Sequence, residues 1–185
     1  MSWDRDEVTV YADTLAAAGD PRGELIALEV EDHGTTIEID ARRGELIVED
    51  TLRHRAVFAR LRCRVRLDFA ALAALDRFET THHMRLPPSV YWWYARKHVA
   101  VVSRELRHPL RPIASWELER MPDGEGFIQV FDAPRRRYGV LCDPADPPVV
   151  NRRASTASYA HIADTFSAYL ARLATDSRLD FAHLD

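Results

Sequence analysis

Asp143 and Asp146 stand three residues apart in CDPADPPVV, straight after the apolar run YGVL. Two carboxylates in one loop are the material of a general acid and a general base. Acids that flank prolines have a simpler use. Asp side chains bond the local backbone and proline fixes φ, so both shape turns. Cys142, which precedes them, becomes a nucleophile only as a thiolate, and that needs a cationic neighbour or a helix N-terminus. A strand end before Pro144, Pro147 and Pro148 offers neither. The segment therefore reads as architectural. Its prolines close one strand and set the start of the next, since proline cannot donate to a ladder.

Other reactive residue types lack the spacing that catalysis requires. His82 and His83 are adjacent. Neighbours on a strand oppose each other and on a helix diverge by about 100°, so one ion is poorly served by both. Neither HExxH nor CxxC occurs, and the pair is expected as exposed loop histidines ahead of RLPP. Ser89, Ser103, Ser115 and Ser158 stand in no GxSxG elbow. The seven glycines form no GxGxxG or Walker loop, which a backbone phosphate cradle needs. No catalytic, metal or cofactor site is expected, and no cofactor.

Recognition chemistry is better represented. Arg135, Arg136, Arg137 and Tyr138 cluster where a hairpin turn should lie. Arg and Tyr are both enriched at interface hot spots. Tyr91 to Tyr94 is an unbroken aromatic run, YWWY. Four consecutive helical residues sweep most of a turn, so Tyr91 or Trp92 should face outward or toward a second layer. The candidate partner-binding residues are Trp92, Arg135, Arg136, Arg137, Tyr138, Asp143 and Asp146, taken as exposed anchors.

These residues need elements to hold them. Val8, Tyr11, Ala12 and Leu15 have helical spacing, and Gly19 offers a stop. Asp20 is a candidate N-cap and Pro21 a first helical residue for a second helix through RGELIALEVE, ending near Gly34. TTIEID and ELIVED alternate around Gly44, a β-hairpin pattern. Residues 51–66 read equally as helix or strand. Asp68 caps a helix bearing Phe69, Leu72, Leu75 and Phe78. Pro87 and Pro88 suit the start of the helix that carries YWWY. Strands are expected over Ile113–Glu119, Phe127–Asp132 and Tyr138–Cys142. A final amphipathic helix is expected to carry Ile162, Phe166, Tyr169, Leu170 and Leu173. The fold class is α+β, with a mixed or mainly antiparallel sheet flanked by helices. A division into an N-terminal helix-turn-helix and hairpin module, 1–60, and an α+β domain, 61–185, is expected, with one packed unit as the alternative.

Composition narrows the class. The 185 residues are 46% hydrophobic and 29% charged, enough for a core and too apolar for disorder. A net charge of −4 gives no basic field for nucleic acid. No apolar run approaches the roughly 20 residues of a membrane span, and MSWDRDEVTV lacks a signal-peptide core. Cys63 and Cys142 are the two cysteines, expected as free thiols in a reduced, cytoplasmic setting.

From about Leu67 to Ala174 the chain resembles the SUKH superfamily. The resemblance is carried, in order, by Leu72–Glu79, by Leu86-Pro87-Pro88-Ser89-Val90 running into YWWYARK, by Asp146-Pro147-Pro148-Val149, and by IADTFSAYLARL. A family turn of NGG type is replaced here by KHVAVVSRELRHPL. Separately, YADTLAAAGDPRGELIALEVE resembles a short bacterial module with the pattern YADWL..GDPRGE. The SUKH resemblance implies a non-enzymatic protein-binding protein, and many members look like immunity proteins that neutralise a cognate toxin. It implies a protein partner, and the acidic balance suits a basic one such as a nuclease-type toxin domain. The alternatives are a regulatory or scaffolding interaction module, and less so an enzyme with an unrecognised site. Neither nucleic acid nor membrane is an expected partner.

Overall fold

The computed structural model describes residues 2–30, 67–96, 110–121, 124–131, 137–142, 144, 146–152 and 159–176. The expected hairpin around Gly44, the ambiguous segment 51–66 and the proposed boundary near residue 60 lie outside them. Helix α1 spans Arg5–Ala17 and α2 spans Pro21–Val30. Asp4 and Glu7 form a reciprocal capping box at the start of α1, which satisfies two otherwise orphaned N–H groups. Gly19, at φ +73°, ends the helix in the left-handed region, where a side chain would clash. The next residue, Asp20, accepts a hydrogen bond from Arg22 N at 3.1 Å and so caps α2 as expected.

Gly23 sets the distance between these two helices. A Cβ there would fall on the Ala12 carbonyl oxygen and 2.5 Å from the Ala16 nitrogen. The absent side chain lets α2 lie directly on the α1 backbone. Val8, Ala12, Leu25 and Ile26 thereby join the same buried cluster as Leu72, Leu75, Val90 and Phe131.

Helix α3 spans Phe69–His82, with Asp68 accepting from Ala70 N and Ala71 N. His83, at φ 50°, terminates it. The two histidines are thus a helix end and its cap rather than a loop pair: His82 lies 4.4 Å from the Phe78 ring, and His83 is exposed. Helix α4, Pro88–Tyr94, starts on the second proline, as expected. All four aromatics of YWWY are buried.

Strands β1 (Leu118–Arg120), β2 (Gly126–Phe131), β3 (Arg137–Leu141), β4 (Val149–Arg152) and β5 (Tyr159–Ala163) form one sheet in that order. Every pairing is antiparallel, so the class is α+β. Helix α5, Phe166–Asp176, closes the described fold. Ile128, Val130, Val140 and Val149 belong to the main core with the helices. Met121, Phe127, Leu141 and Val150 form a smaller second cluster. Tyr94 Oη donates to Val130 O at 2.9 Å, tying α4 to the sheet.

Two expected elements differ. Ile113–Ser115 is a 3-10 turn, and the strand begins only at Leu118; Pro112 precedes a turn there, with Ser115 N donating to its carbonyl. Ile162 lies in β5, not in the last helix. Thr165 explains the break: its hydroxyl accepts from Ala168 N at 3.0 Å and starts α5 there.

Gly23→Ala should cost about 2 kcal/mol through overpacking of α1 on α2. In a thermal melt this appears as a drop of roughly 4–8 °C. An unchanged melting temperature would mean that the two helices do not touch at Gly23.

Candidate functional site

The segments GDPRG and RLPP, far apart in sequence, meet in space. Asp20, Pro21 and Arg22 from the first face Arg85, Leu86, Pro88 and Trp92 from the second across a cleft of about 160 Å³. Pro21 and Pro88 are the first residues of α2 and α4, so both walls carry a fixed φ.

Arg22 joins the two sides. Its Nε and Nη2 donate to Asp20 Oδ2 at 3.0 and 2.7 Å. Its Nη1 donates to both oxygens of Glu79, at 2.9 and 3.0 Å. Glu79 Oε1 also accepts from Leu86 N at 2.7 Å. The carboxylate on α3 therefore holds the RLPP backbone and the α2 arginine together. The guanidinium lies 4.4 Å from the centroid of the Tyr91 ring, a favourable cation–π position. Tyr91 Oη in turn meets Tyr11 Oη of α1 at 3.3 Å. The second layer expected for Tyr91 is thus the N-terminal helix pair.

The electrostatics follow from burial and partners. Burial opposes ionisation of Asp20, but the hydrogen bonds from Arg22 and the fields of Arg22 and Arg85 outweigh it, holding the carboxyl below its ordinary 3.8. Burial dominates at Glu79, whose carboxyl sits above its ordinary range although Arg22 and the Leu86 N–H pull it down. Burial also pushes the Tyr11 phenol up to about 12 and the Tyr91 phenol well above 10.0. Arg85 differs from all of these. It reaches Asp20 Oδ2 at 3.2 Å, yet its side chain is 65% exposed.

The residues expected as exposed anchors fall in different places. Trp92 lines the cleft but is only 6% exposed, with Arg96 over its ring at 5.4 Å. Tyr138 is buried in the main core, because β3 is an inner strand of the sheet. Asp146 is buried as well; its Oδ1 accepts from Ser167 N at 3.0 Å. Its carboxylate therefore caps α5 across 21 residues of sequence rather than shaping a surface turn. Arg137 is half-buried. It pairs with Glu119, which also pairs with Arg152, and its Nε donates to Gln129 Oε1 at 3.1 Å. Arg135, Arg136 and Asp143 lie outside the described residues.

Asp20, Arg22, Glu79 and Arg85 were missed as site residues. Asp20 has the local signature of an N-cap, and the chain distance to Glu79 hides the pairing of Arg22 with that carboxylate. The signal available was the density of charge at GDPRGE, beside apolar residues that needed burial. Among the described residues no group of three or more His, Cys, Asp or Glu could hold a metal ion. Cys142 is half-buried and forms no disulfide among the described residues. No helix of the described residues is long and apolar enough to cross a membrane. No family model, curated protein or solved structure matches the chain.

Asp20→Asn leaves Arg22 buried with one fewer anion, a loss of about 3 kcal/mol by the measure of broken buried pairs. The sign with pH is set by the lowered carboxyl. Its stabilisation is present above the ordinary 3.8 and lost as pH falls through the folded value. Melts at pH 7 and pH 3 should show a larger acid loss in the wild type than in Asp20→Asn. Equal losses would mean that Asp20 is not held ionised by Arg22.

Proposed function

We propose that this chain is a non-enzymatic binding protein of the immunity type, which neutralises a cognate toxin by occupying it. The observation that carries the reading is the meeting of GDPRG and RLPP at a prebuilt cleft whose buried charges bond one another. Arg22, Asp20 and Glu79 are engaged in holding backbone and helices in place. Such a cluster positions a surface. Rigid surfaces gain affinity because little conformational freedom is lost on binding. The SUKH resemblance supplies the toxin-neutralising class, and its segments at Glu79 and RLPP are those that build the cleft. The net charge of −4 favours a basic toxin domain such as a nuclease, steered by complementary long-range potential.

The test is capture of a partner by the tagged full chain from the lysate of its native cell, at low and then moderate salt. A stoichiometric partner is expected that is lethal when expressed alone and harmless with this chain. Its association rate should fall as ionic strength rises. A partner without toxicity, or no partner at either salt, would overturn the toxin reading.

A further inference from the structure

We propose that the cleft between GDPRG and RLPP seats one apolar side chain of a partner protein, flanked by a partner carboxylate that binds Arg85. The inference rests on the protein-binding reading above and names what this surface recognises.

Size sets the first limit. The cleft, at about 160 Å³, is smaller than the ~300–1,000 Å³ of small-molecule sites. It has room for a single side chain. Its apolar walls are Pro21, Leu86, Pro88 and Trp92, and an apolar group placed against them is removed from water.

Charge sets the second limit. Asp20 is already served without Arg85: Arg22 gives it one backbone and two side-chain donors. Arg85 adds a contact at 3.2 Å from a side chain 65% exposed to water, and an exposed pair of that kind contributes little. Moving Arg85 onto a partner therefore uncovers no buried charge. A carboxylate beside the inserted side chain would meet the fork of an arginine built for bidentate contact. A cation at the same place would meet Arg85 as a like charge. The cleft thus discriminates by repulsion as well as by attraction.

The acidic chain as a whole and this one basic rim residue act at different ranges. Net charge governs the approach, while Arg85 fixes the register of one contact. A basic toxin domain that offers an apolar residue next to Asp or Glu satisfies both.

The full chain, labelled with nitrogen-15, is titrated with three capped pentapeptides: Gly-Asp-Leu-Asp-Gly, Gly-Lys-Leu-Lys-Gly and Gly-Asp-Gly-Asp-Gly. The first should shift the Leu86 amide and the Trp92 indole N–H saturably, with a Kd on the order of 1 mM. The Lys peptide should bind about fivefold more weakly, the size of one exposed charge pair, and the peptide without Leu about tenfold more weakly, for want of the apolar side chain. Arg85→Glu should reverse the preference between Asp and Lys peptides, and Arg85→Gln, which sets no like charge beside Asp20, should abolish it and leave the melting temperature within about 2 °C. No saturable shift at Leu86 or Trp92, or equal shifts from the Asp and Lys peptides, would overturn the inference. A lethal partner captured while the peptides leave the cleft silent would sink this inference alone. Peptide binding as described, with no toxin partner, would sink the toxin reading alone.

Discussion

Arg22 is a cation whose side chain is only 11% exposed, held by two carboxylates from different parts of the chain. Taking a guanidinium out of water is costly, and an ion pair offsets that only with near-complete hydrogen bonding. Here Nε, Nη1 and Nη2 all donate, to Asp20 on the same turn and to Glu79 on α3. The Tyr91 ring covers the guanidinium. The rest of the arrangement depends on this clasp. It docks the N-terminal helix pair on α3 and α4, it positions Glu79 to hold Leu86 N, and it leaves Pro21 and Pro88 facing each other across a cleft.

Long-range polar contacts recur at the other end of the fold. Asp146, in the proline-rich link between β3 and β4, caps the N-terminus of α5. The prolines make that link stiff, and the carboxylate converts its stiffness into a fixed position for the last helix. Glu119 does comparable work on the sheet, where it pairs with Arg137 of β3 and Arg152 of β4. In each case one acid joins elements far apart in sequence. Asp146 and Arg137, two of the charged residues expected as interface anchors, are engaged in the architecture.

That explains what was legible in the sequence and what was not. Helix starts were legible because caps and prolines act within a few residues, as at Asp20, Asp68 and Pro88. The inner strands β2 and β3 were legible from their apolar runs. Strand β5 was not, since Tyr159–Ala163 is mostly exposed and its Ile162 falls in helical spacing with Phe166, Tyr169 and Leu170. Trp92, Tyr138 and Asp146 were misplaced for one reason: whether a polar or aromatic residue is exposed depends on partners that the linear pattern does not name. Trp92 nevertheless lies at the cleft. The sequence carried no local sign that Glu79 and Arg22 pair across 57 residues.

A double-mutant cycle between Arg22 and Glu79 tests the clasp most directly. Unfolding of the wild type, Arg22→Met, Glu79→Leu and the double variant is followed in denaturant. The expected coupling is about 2 kcal/mol, because Arg22→Met leaves Glu79 without its cation and Glu79→Leu leaves Arg22 with Asp20 alone, whereas the double variant removes both halves of the Arg22–Glu79 pair. Additive costs, within about 0.5 kcal/mol, would contradict the clasp and with it the prebuilt cleft.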